Sequence, residues 1–109
     1  MERGREMTEN SYKTPCGCIH YFVNIIDKQK ITLVFLPGLT ADHRLFEKQI
    51  EYFEKKQNVL VWDAPSHALS RPFTNNYSLS DMAEWLYEII AKEEIYNPII
   101  IGQSMGGYL

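Results

Sequence analysis

The chain has 109 residues, of which 45% are hydrophobic and 23% charged, the make-up of a folded globular protein rather than a disordered one. A net charge of −3 leaves no basic patch for a phosphate backbone, so nucleic acid is excluded as an expected partner. No apolar run reaches the ~18 residues that would span a membrane, and no apolar segment follows the basic N-terminus as in a signal peptide, so a cytoplasmic protein with no membrane contact is expected.

Residues 1–10 are charged and without periodicity, and are expected to form a disordered tail. Two β-prone runs follow, Ser11 to Thr14 and Cys18 to Ile25, joined at Pro15-Cys16-Gly17 as a hairpin. Ile19, Tyr21, Val23 and Ile25 alternate with Cys18, His20, Phe22 and Asn24, which gives the second strand two unequal faces and puts His20 on the more polar one as a structural residue. Cys16 and Cys18 are too close to staple a fold, and no other cysteine or histidine spacing completes a zinc site. Reduced thiols and no metal are expected.

A polar turn, Asp27 to Lys30, leads into Ile31 to Leu36, whose unbroken apolar character fits a strand buried on both faces. Pro37-Gly38 ends it. From His43 to Lys56, Phe46, Ile50 and Phe53 recur at helical spacing behind Thr40 and Asp42 as possible N-caps, and His43 is expected to face solvent or pack on the loop, with a lid or substrate contact as the lesser reading. Asn58 to Trp62 is a second buried strand, closed by Asp63 and a loop running to Pro72. Ser78-Leu79-Ser80-Asp81 carries a capping-box pattern and opens a helix with Leu79, Met82, Ala83, Leu86 and Ile90 on one face. Asn97-Pro98 stops that helix and begins a last strand, Ile99 to Ile101.

That strand feeds into Gly102-Gln103-Ser104-Met105-Gly106, a G-x-S-x-G elbow in which Gly102 and Gly106 allow a tight turn and Ser104 is presented at the strand end. Two further stretches go with it: Leu33-Val34-Phe35-Leu36-Pro37-Gly38-Leu39-Thr40, and Asp63-Ala64-Pro65-Ser66-His67-Ala68-Leu69-Ser70-Arg71-Pro72. In order and spacing the three resemble the α/β-hydrolase superfamily, from about Ser11 to Leu109.

The resemblance implies an α/β fold, a mostly parallel sheet with an antiparallel N-terminal hairpin and helices on both faces. Residues 11–109 would be an incomplete domain ending just after the elbow. It implies Ser104 as nucleophile toward a small-molecule ester, amide or thioester through an acyl-enzyme, with no cofactor. Gly102, Gln103 and Gly106 would shape the elbow, and the backbone N–H groups of Leu39 and Met105 would form the oxyanion hole. Pro37 stands where the family usually has histidine, and Ser66 and Ala68 where it has glycines; His67 is a structural position in the family.

A serine hydrolase also needs a base and an acid, which in this family follow the serine. The chain stops five residues past Ser104, so neither is present. Alone it is expected to be inactive, with its last strand an exposed apolar edge. The alternative is a non-catalytic hydrolase-like binding protein or a truncated gene product. The departures at Pro37, Ser66 and Ala68 lean toward it, and the retained strained elbow leans against it.

Overall fold

The computed structural model describes residues 7–37, 43–63, 70 and 77–102. Five strands, β1 (Thr8–Thr14), β2 (Gly17–Asn24), β3 (Thr32–Leu36), β4 (Asn58–Trp62) and β5 (Pro98–Gly102), form one sheet in the order β1-β2-β4-β3-β5. β1 and β2 are antiparallel, β2 runs antiparallel to β4, and β3 lies parallel to both β4 and β5. Two helices, α1 (Glu47–Phe53) and α2 (Leu79–Lys92), complete the order. None of the described helices is long and apolar enough to cross a membrane.

The hairpin is closed by Thr14, whose hydroxyl accepts from the N–H groups of Cys16 and Gly17 at 3.0 and 3.1 Å and donates to the Gly17 carbonyl at 2.8 Å. Neither Cys16 nor Cys18 is in a disulfide. β1 starts at Thr8, so residues 8–10 are not part of a disordered tail: they pair with Val23, Phe22 and Tyr21. Pattern reading misses them because an edge strand with one solvated face needs little apolar sequence, and the ladder to β2 holds it instead.

All five residues of β3 and all five of β4 are buried, which is why these strands read as continuous apolar runs. Alternate side chains feed two cores. Val34, Leu36, Leu60 and Trp62 join Ile19, Tyr21 and Val23 beneath Met82, Leu86 and Ile89 of α2. On the opposite face Leu33, Phe35, Val59 and Val61 pack with Ile50 of α1, flanked by Phe46 and Phe53. The sheet therefore carries a helix on each face.

The helix expected over His43 to Lys56 is shorter than its pattern: a 3-10 turn (His43–Phe46) leads into α1, and Phe46 occupies the N-cap without a side-chain bond. Thr40 and Asp42 lie outside the described residues. α2 has the expected capping box, with Asp81 N–H donating to Ser78 Oγ at 3.2 Å and Ser78 N–H to Asp81 Oδ2 at 2.9 Å. Its buried stripe is Met82, Leu86 and Ile89; Leu79 is exposed and Ile90 half-buried.

Two polar contacts that sequence reading did not anticipate fix the frame. Asn58, fully buried at the start of β4, accepts from the N–H groups of Ile26 (2.6 Å) and Asp27 (3.1 Å) and donates to the carbonyls of Asp27 (2.7 Å) and Lys30 (3.3 Å), so one amide holds the β2–β3 connection. The buried Tyr21 hydroxyl donates to Glu93 Oε2 at 2.5 Å, and Asn10 donates to the same oxygen at 2.9 Å, fastening the end of α2 to the hairpin. Burial, and then the Glu93 carboxylate, push the Tyr21 phenol well above its ordinary value.

Candidate active site at the carboxyl ends of the parallel strands

β3 is the strand about which the sheet order reverses. The connection from β3 through α1 goes to its neighbour β4, and the connection from β4 through α2 crosses β3 to reach β5 on the other side. With α1 and α2 on opposite faces, the carboxyl ends of β3 and β5 lie where open α/β sheets bind ligands. The register makes this specific: Leu36 is paired with Gly102. Leu36 thus ends β3 beside, and level with, the end of the strand that leads toward Ser104. Gly102 is described, as the last residue of β5. Gln103, Ser104, Met105, Gly106 and Leu39 lie outside the described residues, as do Ser66, His67 and Ala68.

The next strand end, at Asp63, is built from described residues. Asp63 is fully buried. Its N–H donates to the His20 carbonyl at 2.9 Å, and its own carbonyl accepts from Ser70 Oγ at 2.6 Å, while Ser70 Oγ accepts from the His20 N–H at 2.8 Å. Ser70, also fully buried, thereby ties the end of the Asp63–Ser70 stretch to its beginning and both to β2.

Asp63 Oδ1 accepts from the His43 N–H at 2.7 Å and from its ring Nδ1–H at 2.8 Å, and the ring rests 4.3 Å from that of Phe22. The packing role expected of His43 is thus joined to a pair with a buried carboxylate. No sequence signal couples two residues 20 positions apart. His20 sits on the polar face as expected, its Nδ1 3.2 Å from Glu9 Oε2.

A cavity of about 440 Å³ lies on the α1 face, with Phe22, His43, Arg44, Glu47, Ile50 and Val61 among its walls. Among the described residues its lining includes none from β5. Among the described residues no group of His, Cys, Asp or Glu is placed to hold a metal.

A family model described as the alpha/beta hydrolase fold matches residues 31–109, well over half of the sequence. The chain belongs to the α/β-hydrolase fold family. It is 30% identical over 77 residues to the (E)-2-((N-methylformamido)methylene)succinate hydrolase of Acinetobacter baylyi, covering 71% of this chain and 29% of that protein. Among solved structures, the Cif epoxide hydrolase from Acinetobacter nosocomialis superposes with a TM-score of 0.80 at 18% identity over 94% of this chain and 32% of its own. A loop variant of haloalkane dehalogenase from Bradyrhizobium elkanii does so with a TM-score of 0.76 at 14% identity, over 93% of this chain and 33% of its own. At such identities these structures establish the fold. The hairpin, which precedes the matched 31–109 segment, is part of that shared fold, since the superpositions cover nearly all of the chain. The chain spans about a third of the length of these relatives.

Proposed function

We propose that the chain supplies the nucleophile and the oxyanion donors of a serine hydrolase acting on an ester, amide or thioester. The single observation that supports this most is the Leu36–Gly102 register at the point where the strand order reverses. It brings the exits toward Leu39 and toward Ser104 out of adjacent parallel strands at one level, and those two segments are the ones a shared oxyanion site requires.

In this reading Ser104 Oγ attacks the acyl carbonyl, the N–H groups of Leu39 and Met105 receive the developing negative charge, and water releases the acyl group from the serine. The general base and its carboxylate come from sequence following residue 109, in the family order of serine, acid, histidine. Two of the chain's three histidines already have carboxylate partners, His20 with Glu9 and His43 with Asp63. The relative from Acinetobacter baylyi, by name a hydrolase of an N-methylformamido compound, supports an amide or a chemically similar acyl bond as the one cleaved.

The test is labelling of the full-length protein with a fluorophosphonate, which reacts with an activated serine. Labelling is expected to vanish in Ser104→Ala together with ester turnover, a loss of about 10³-fold or more. Residues 1–109 made alone are expected to take no label. Labelling that persists in Ser104→Ala would overturn the assignment.

A further inference from the structure

The two faces of β2 are covered unequally. Toward α2, Ile19, Tyr21 and Val23 are buried; on the α1 side, Cys18, His20, Phe22 and Asn24 are exposed or half-buried. The shortness of α1 is the cause. Its seven residues lie over β3 and β4, where Ile50 packs with Leu33, Phe35, Val59 and Val61, and the part of the sheet nearer β1 is left open on that face among the described residues. The cavity of about 440 Å³ lies at this step. Register gives it a graded floor: Glu9, Phe22 and Val61 are successive partners across β1, β2 and β4, so their side chains form one row that runs from exposed, through half-buried, to buried. All three line the cavity, together with the buried Ile50.

We propose that this cavity is a binding site for a small primary amine carried on an apolar body. The body has Phe22, Ile50 and Val61 to rest on, and seating it there removes apolar surface from water. The wall is held in place, because the His43 ring lies on Phe22 and its Nδ1–H is bound by the buried Asp63. The sign of the ligand's polar end follows from the charges around the cavity. Arg44 and Glu47, three residues apart where the 3-10 turn enters α1, offset one another in charge, whereas Glu9 comes from β1 and leaves the lining negative. Glu9 Oε2 has a contact with His20 Nδ1 at 3.2 Å, and a carboxylate accepts at both oxygens, so an ammonium can be held as well. An anion would meet Glu9 at the end of the same row, and a neutral ligand would gain the apolar contacts alone. The site does not depend on the reading of Ser104 as nucleophile.

The experiment titrates the full-length protein with phenethylamine, its neutral isostere phenethyl alcohol and the anion phenylacetate. The readout is the methyl NMR signals of Met7, Ile50 and Val61, which line the cavity, with Ile89 in the opposite core as the control. Phenethylamine is expected to shift the three signals and not that of Ile89, with a Kd of about 1 mM. It should bind about fivefold tighter than the alcohol, the margin of an ion pair with a half-exposed carboxylate. Glu9→Gln keeps the shape of the side chain, and should bring the amine to the level of the alcohol while leaving the alcohol unchanged. Should that variant fail to fold, added sodium chloride makes the same test on the wild type, since it screens an exposed ion pair and spares apolar contact. Absence of shifts at all three methyls at about ten times the expected Kd would overturn the site. Equal binding of amine and alcohol, tighter binding of phenylacetate, or an amine preference that survives Glu9→Gln or high salt would overturn the assignment of an amine to it.

Discussion

β4 and β5 are both predominantly apolar runs in opposite situations. Val59-Leu60-Val61-Trp62 is buried throughout, whereas Ile99 and Ile100 are 46% and 44% exposed. The difference lies in their neighbours. β4 is flanked by β2 and β3 and covered on both faces, while β5 is paired only with β3 among the described residues. Apolar sequence declares that a strand is to be covered, and the sheet order decides whether the cover is already in place. β4 belongs to the frame, and β5, the strand that leads toward Ser104, keeps apolar side chains open among the described residues.

Replacing Leu60 with alanine in the full-length protein should cost about 2–5 kcal/mol in denaturant unfolding, because the site is enclosed on every side and collapses poorly. Ile100→Ala sharpens the contrast. In residues 1–109 alone it should change stability, or the extent of hydrophobic-dye binding, far less than Leu60→Ala does. In the full-length protein the gap should narrow to within about 1–2 kcal/mol once β5 is covered. A gap that stays the same in both contexts would mean that β5 remains an edge.

Asn58→Ala, at the head of the same enclosed strand, leaves the N–H groups of Ile26 and Asp27 without their acceptor and is expected to cost about 1–3 kcal/mol by the same measurement. The smallest effect is alkaline. Because the Tyr21 phenol is raised above its ordinary 10.0 in the folded state, folding favours its protonated form. That contribution is fully present below pH 10 and is lost as pH rises toward the folded-state value. The stability of the wild type should therefore decline above pH 10 more steeply than that of Tyr21→Phe, followed by thermal melts across that range.

Much of this frame was legible in the sequence because its signals are local. The unbroken apolar runs announced β3 and β4, Ser78 and Asp81 announced the start of α2, and the order of three motifs announced the family. What was not legible depends on partners distant in the chain. Asn58 looks like an ordinary strand residue until the Ile26–Lys30 connection folds over it. Asp63 reads as the close of a strand and His43 as a residue at a helix start until the fold brings them together. The beginning of β1 was hidden because its pairing is with β2 backbone, and α1 was overestimated because Phe46 keeps the helical spacing while sitting in a tighter turn. The elbow itself, from Gln103 onward, lies outside the described residues, so at the candidate site the structure speaks through Gly102, Leu36 and the Asp63 cluster.

The Ser70 staple also bears on how such a chain can change over generations. Asp63 and Ser70 are fastened to each other and to β2, so the two ends of the stretch they bracket share one fixed base. Ser70 and Asp63 are therefore positions where drift would reach the core.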